Sequence, residues 1–364
     1  MAPYFLIFSS LLLLSLIQLD KKIRGTYTFI IFILVLMIIV LGLRYGIGND
    51  YFSYERIFYG VEDISLLGLF IYNLSESTPI ESGYASIILI TKLFSDSYIL
   101  FVFIWAILSI SAKYYTFKKL SPFIGLSFLI YFTDEWFWKD LSGSRVGIAS
   151  VFILLSVVYA YKRSFLKFLG IIFLASLFHS SAIVGLGIYF LRYFSNPKFM
   201  AISLVGAIII ATYGGMGIFL ADSLSYMFGI ESTSRLLKYQ DSKYVDGIKA
   251  FGGTFMLHIM LSVLFIYYHK LLVAKWHYNS ILVPMYVFGT VLMFLFIDYG
   301  IISGRIREML AVPALVVVLP SLVLLFKGKQ KLFGFALVVA YSALWFYLMM
   351  KDREEYQSIL QFIF

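Results

Sequence analysis

The chain has 364 residues, of which 61% are hydrophobic and only 13% charged, with a net charge of +9 and no cysteine. Soluble domains carry roughly 25% charged residues, so soluble enzymes, disordered chains, collagen-like repeats and disulfide scaffolds are excluded. Apolar runs recur from one end to the other, which also excludes a soluble enzyme on a membrane tail and defines an all-α polytopic membrane protein.

A helix needs about 20 apolar residues to cross the hydrocarbon core. In chain order, such runs predict spans near 2–19, 26–43, 97–117, 120–133, 146–161, 165–178, 180–194, 199–220, 254–273, 279–298, 309–326 and 332–350, about twelve transmembrane helices. The run at 120–133 and the pair around His179 are short, as tilted, broken or re-entrant segments are. The first run has no basic start and no small-residue cleavage site before Asp20, so it reads as a retained span and not a signal peptide. Residues 83–94 are apolar but brief and read as interfacial. No internal repeat and no flexible linker divides the chain, so residues 1–364 form a single integral membrane domain. Two connections, 44–96 and 221–253, are long and mix aromatic with polar residues, which argues against simple linkers.

The positive charge invites a nucleic-acid partner, but its distribution reports topology instead. With the N-terminus outside, six short connections face the cytoplasm. They hold sixteen of the 29 Lys and Arg residues, Lys113 among them, and a single acid, Asp20. Lys and Arg concentrate on the cytoplasmic side of membrane proteins, so both termini and both long segments are expected on the outer, periplasmic face.

Arginine is costly near a membrane, and its positions are informative. Arg44 ends the second span in LGLRYGIGNDYFSY, Arg145 opens the fifth in WKDLSGSRVGIAS, and Arg305 and Arg307 precede the eleventh in YGIISGRIREML. His179, in LASLFHSSAIVG, falls on the same side. Guanidinium binds phosphate and carboxylate oxygens in pairs, so this face suits an anionic group held at the boundary by a lipid tail, such as a polyprenyl diphosphate. The alternative is that each arginine pairs with a nearby acid or snorkels to headgroups.

Arg305 and Arg307 differ by about 200° on a helix and do not both face one site, whereas Arg305 and Glu308 share a face. His179 reads either as a satisfied histidine at a helix break or as a proton acceptor or phosphate donor. Asp50, after Gly46 and Gly48, accepts a proton or orients an arginine, or is simply part of a turn; no strand precedes this GxG, so no dinucleotide fold is implied. Asp134, Glu135 and Asp140 are further carboxylates able to activate a sugar hydroxyl. Trp136 and Trp138 beside them suit sugar stacking, although the aromatic belt of membrane interfaces explains them as well. No DxD or DDxxD pattern and no histidine cluster appears. Neither a metal nor a cofactor is expected.

RYGIGNDYFSY after the second span, SGSRVGIAS opening a mid-chain span, LASLFHSSAIVGL about 30 residues later and SGRI before a late span together resemble the EpsG/Wzy-type bacterial polysaccharide polymerases, over roughly residues 25–325. The resemblance implies a multi-pass glycosyltransferase of the bacterial inner membrane. Its active site would face the periplasm and use neither nucleotide sugar nor metal. It would move a growing chain from undecaprenyl diphosphate to a new lipid-linked repeat unit of O-antigen or a related surface polysaccharide. A chain-length regulator and a flippase of the same pathway are the implied partners, beside the lipid-linked oligosaccharide and the bilayer. The positions matching the motifs are Arg44, Asp50, Tyr51, Arg145, His179 and Arg305. Arg44, Arg145, Arg305 and Arg307 are then expected at the diphosphate, Tyr51 and Asp140 at the acceptor sugar, and His179, Asp50 or another carboxylate as the base. Asn49 stands where the family often has Thr.

Other classes remain. A flippase or transporter of lipid-linked oligosaccharide would carry charges deep in several helices and often a repeated half. An O-antigen ligase places its arginines and histidine in a large late loop, and the 299–308 connection here is short. A membrane acyltransferase sets its histidine in a different context.

Overall fold

Hydrophobic runs without a polar stripe give helices that meet apolar surroundings on all sides. The computed structural model describes residues 1–19, 26–61, 80–142, 144–217, 219, 252–351 and 355–362. Helix forms throughout and no β-strand occurs among the described residues; the only strand-like contact there is an isolated bridge between Arg44 and Ser358.

In chain order the elements are α1 (Ala2–Ile17), α2 (Thr26–Gly42), α3 (Tyr51–Gly60), α4 (Ser82–Lys92), α5 (Tyr98–Leu120) and α6 (Ile124–Ile130), which runs on as a π-helix, Tyr131–Asp140. Then come α7 (Ser144–Tyr161), α8 (Phe165–Ser176), a 3-10 helix (Ser180–Phe194), α9 (Pro197–Thr212), α10 (Gly253–Lys275), α11 (Asn279–Leu295), α12 (Gly300–Leu325) and α13 (Lys331–Met350).

Each predicted span thus has a helix in its place. Among the described residues, four helices are long and apolar enough to cross a membrane: α5, α10, α12, and α13 with the turn before it, together Gly328–Met350. α1, α2, α7, α8, the 3-10 helix, α9 and α11 are apolar but shorter. α12 is the axis of the bundle, buried over 83% of its apolar window against 28–44% for the other three. It packs on α11, which in turn holds α9 and α10. On the periphery one face of each helix is buried and the rest is apolar and exposed. In α1, for example, Tyr4, Ile7, Leu11 and Leu14 face inward while Phe5, Leu6 and Leu13 face out, as lipid contact requires.

The ends of the helices sort into two faces. On one, the end of α2 pairs with the C-terminal segment: Tyr45 N–H donates to the Gln357 carbonyl (3.0 Å) and Ile359 N–H to the Leu43 carbonyl (3.0 Å). On the other, Gln18 Oε1 accepts from Gly125 N–H (2.8 Å), Trp276 Nε1 donates to the Leu120 carbonyl (2.6 Å), and the rings of Tyr161 and His277 lie 4.8 Å apart. The turns after α5, α7 and α10 thus meet on a face opposite the arginine motifs.

Three expectations need correction. Lys113, assigned to a cytoplasmic connection, lies inside α5, buried. Arg305 and Arg307, expected before a span, lie within α12, which starts at Gly300. The long connection 44–96 contains α3 and α4; its residues 62–79, and the connection 221–253 as far as residue 251, lie outside the described residues.

α3 and α4 bring the site together. Both are short and one-sided, burying Tyr51, Tyr54 and Phe58 in α3 and Tyr84, Ala85 and Ile88 in α4. These rings pack on Tyr98, Phe101 and Trp105 in the first two turns of α5. Lys92 of α4 donates to the carbonyl of Val61 just after α3 (2.6 Å), fixing the two helices side by side. At the start of α3, Gly48 has φ +104°, and a Cβ there would strike the Leu141 carbonyl, while Asn49 N–H donates to Ser142 Oγ (3.1 Å). Glycine alone permits both the backbone and the approach, which docks the RYGIGND loop on the turn just before Arg145.

Candidate active site

Arg145 stands in the first turn of α7, its guanidinium between two tyrosine rings, 5.4 Å from the centre of Tyr54 and 5.7 Å from that of Tyr84. Its Nη1 forms an ion pair with Glu81 Oε2, and its Nε donates to the Tyr54 hydroxyl (3.4 Å). Both partners remain partly open, Arg145 by 25% and Glu81 by 17%, so the pair borders a space a solute can reach. Glu81 precedes α4 in an extended conformation and does not cap that helix with its side chain. Gly83 N–H donates to the Leu177 carbonyl (2.7 Å), and a Cβ on Gly83 would collide with that carbonyl. The start of α4 is thereby held against the turn that carries His179.

His179 follows the end of α8, its backbone N–H donating to the Ala175 carbonyl (3.1 Å), and caps the 3-10 helix that comes next. Its Nδ1 accepts the Ser181 backbone N–H (3.2 Å) and lies 2.6 Å from the Ser181 hydroxyl. A backbone N–H only donates, so the proton of the neutral ring falls on Nε2. Burial, reinforced by the charges of Arg305 and Arg145, pulls the imidazole down to about 4. His179 is therefore neutral near pH 7 and offers an N–H at Nε2. This geometry suits a hydrogen-bond donor to an anion better than a base.

A pKa depressed on folding contributes stability that is complete above the unfolded value, near 6.5, and is lost as pH falls toward 4. Between pH 8 and pH 5.5 the His179 ring keeps one charge state. Its 15N or 13C imidazole resonances in labelled protein are expected not to titrate over that range, and a midpoint near 6.5 would contradict the placement.

The charges of Arg305 and Arg145 both reach His179, and three distant segments approach one another. Arg305 Nη1 also pairs with Glu308 Oε2 (3.0 Å), the i,i+3 pairing the spacing predicts. Arg307 turns the other way, as its rotation on the helix requires; it acts electrostatically on His258 and Tyr286 in the bundle interior. It is not brought to His179, and its expected place at a diphosphate is not where the fold sets it.

Arg44 is buried. Its Nη1 donates to the Leu41 carbonyl (2.6 Å) and its guanidinium lies 5.8 Å from the Tyr51 ring. Tyr84 lies within the electrostatic reach of both Arg44 and Arg145. Among the described residues, Arg44 Nε and the Tyr84 hydroxyl are buried without a hydrogen-bond partner. Buried donors are seldom left unsatisfied, and these two N–H and O–H groups keep their donor capacity unspent. Tyr51 is buried as well, with its carbonyl accepting from the Tyr98 hydroxyl (3.2 Å), and burial pushes its phenol up to about 12. Asp50 is exposed at the start of α3.

Asp140, expected at the acceptor sugar, is fully buried. One carboxylate oxygen accepts from Lys113 Nζ (3.1 Å) and from the Ser109 hydroxyl, and the other from the Tyr131 hydroxyl (2.7 Å). Those bonds occupy the carboxylate inside the bundle, where it ties α5 to the π-helix. Trp136 is buried too, whereas Trp138 is 54% exposed.

Sequence reasoning missed Glu81, Tyr54 and Tyr84. Its one signal was the density of aromatic and acidic residues in 44–96. No group of three or more His, Asp or Glu that could hold a metal occurs among the described residues.

An all-helical membrane protein with hydrogen-bond donors gathered at one end of the bundle is the class this fold and site define. The model of the EpsG family matches residues 26–364, nearly the whole chain, and the chain belongs to that family. Membership supports a function of the polysaccharide-polymerase type. No curated protein and no solved structure matches the chain.

Proposed function

We propose that this protein is a polymerase acting at the periplasmic face of the bacterial inner membrane. It transfers a growing oligosaccharide from undecaprenyl diphosphate to a new lipid-linked repeat unit. The observation that carries this reading is the meeting of Arg145, Arg305 and the neutral His179, from three separate segments, beside the unspent donors of Arg44 and Tyr84. Such a cluster has the chemistry of a diphosphate site.

In this mechanism the guanidinium groups hold the donor diphosphate where the bilayer meets water, and His179 Nε2–H donates to one of its oxygens. As the acceptor hydroxyl attacks the anomeric carbon, negative charge grows on the departing diphosphate. Donors already aimed there lower the barrier without reorganising. The tyrosines Tyr54 and Tyr84 keep Arg145 directed and partly dry, which strengthens its field.

The test is the length of surface glycan on a gel, with and without this gene. A polymerase deletion leaves single repeat units, and the ladder returns with the wild-type gene. A deletion that leaves almost no glycan would instead indicate a flippase and overturn the reading.

A further inference from the structure

The mechanism needs a group that takes the acceptor's proton, and four candidates lie near the arginines. Glu308 pairs with Arg305 one turn along its own helix (3.0 Å) and away from Arg145. His179 Nδ1 is committed to Ser181 N–H and its Nε2 carries the ring proton, so acting as a base would require the other tautomer and the loss of the cap. Asp50 is exposed at the start of α3, on a loop docked against residues 141–142. Glu81 alone is a carboxylate in contact with Arg145.

We infer that Glu81 is the catalytic base of the transfer, held on Arg145 until the donor diphosphate displaces it. The inference rests on the polymerase reading above and gives that site its missing proton acceptor. Glu81 is fixed in place by the Gly83–Leu177 contact, yet its side chain is spent on no helix cap, and it retains access to solvent. Arg145 Nη1, which it occupies, is a donor that a phosphate oxygen would take. A diphosphate carries more charge than a carboxylate and competes for the same guanidinium. Displacement leaves Glu81 without its cation and beside an anion, two changes that both make a carboxylate hold a proton more readily. Binding of the donor thereby produces the base where it is needed, and the empty enzyme keeps that carboxylate masked.

The step balances. The acceptor hydroxyl oxygen forms a bond to the donor's anomeric carbon, and the bond from that carbon to the diphosphate oxygen breaks. Its electron pair leaves with undecaprenyl diphosphate. The hydroxyl proton passes to Glu81, which returns it to water when the product departs and Arg145 is regained.

The experiment pairs binding with chain extension. The full chain is purified in lipid nanodiscs and titrated with undecaprenyl diphosphate, and the same variants are tested for glycan ladders in cells lacking the native gene. Glu81→Gln removes the competitor for Arg145, so binding is expected to tighten about fivefold, the scale of a partly exposed ion pair. Chain extension is expected to fall roughly 100-fold or more, the scale of a general base. A merely structural Glu81 would position Arg145, and its loss would weaken binding and extension together; that result overturns the inference, as does a normal ladder from Glu81→Gln. If Glu81→Gln does not accumulate, Glu81→Asp carries the test: the shorter carboxylate retracts from Arg145, with tighter binding and slower but measurable extension expected, and weaker binding overturning it. If the wild-type protein binds no undecaprenyl diphosphate, the polymerase reading itself fails, an outcome distinct from a wild type that binds and a Glu81→Gln that binds worse.

Discussion

Arg145→Ala is expected to abolish the glycan ladder while the protein still accumulates in the membrane. Loss of one preorganised donor to a developing oxyanion typically costs a factor of about 100 to 1,000 in turnover, and Arg145 is the donor most enclosed by aromatic rings. Arg145→Lys separates charge from geometry. Lysine still neutralises Glu81, so the local ion pair survives, but it lacks the planar fork that meets two oxygens and stacks between Tyr54 and Tyr84. A reduction of about tenfold to 100-fold is expected for Arg145→Lys, with its melting temperature close to wild type. Chains of normal length from a well-expressed Arg145→Ala protein would defeat the assignment of this arginine. Arg305 is more exposed and shares its charge with Glu308, so Arg305→Ala is expected to shorten chains less severely on the same gel.

The order of these effects reflects what a linear sequence can and cannot carry. Span length is one-dimensional information: a run of apolar residues has nowhere to go but helix, and a helix lies at each predicted position. Facing is also partly one-dimensional. Arg305 and Arg307 differ by two positions, so their separation to opposite sides of α12 follows from helical rotation alone. That Arg145, His179 and Arg305 lie at one end of the bundle follows from counting crossings.

Pairings across the bundle are a different matter. Nothing within 113–119 distinguishes Lys113 from the basic residues that mark a cytoplasmic turn, since its partner Asp140 lies on another helix. Asp140 read as a carboxylate at the acceptor sugar for the same reason. Glu81 sits before a helix too short to read as a span, in a segment that composition alone describes as a loop. Its importance comes from the α4–Leu177 contact, which depends on the absence of a side chain at Gly83. The parts of the site that were legible are the charges, and the parts that were not are the groups that hold them.

Lys113→Met is expected to be strongly destabilising. Lys113 Nζ spends all three donors, on Ser109 Oγ (2.6 Å), Asp140 Oδ1 (3.1 Å) and the Gly147 carbonyl (3.3 Å), and stands 5.0 Å from the Tyr131 ring. Removing one member of a buried ion pair strands its partner, at a cost of about 3–5 kcal/mol. In Lys113→Met the Asp140 carboxylate would remain fully buried without its cation, still accepting from the Ser109 and Tyr131 hydroxyls. The double variant Lys113→Met, Asp140→Leu removes both charges, and although Ser109, Tyr131 and the Gly147 carbonyl lose partners, it is expected to recover about half of the loss. Melting of the purified proteins in one detergent measures this; a wild-type midpoint for Lys113→Met would show that the pair contributes nothing. The consequence extends to the site, because the pair holds α5 against α7 at Gly147, where a Cβ would come within 3.0 Å of Asp140 Oδ1. Gly147 is two residues from Arg145 on the same helix. A shift of α7 there would move the guanidinium off the Tyr54 and Tyr84 rings, and a displacement of about 1 Å is enough to cost 100-fold in a positioned reaction. Lys113→Met is therefore expected to shorten the glycan ladder even at temperatures where the protein remains folded, whereas the double variant should restore part of both.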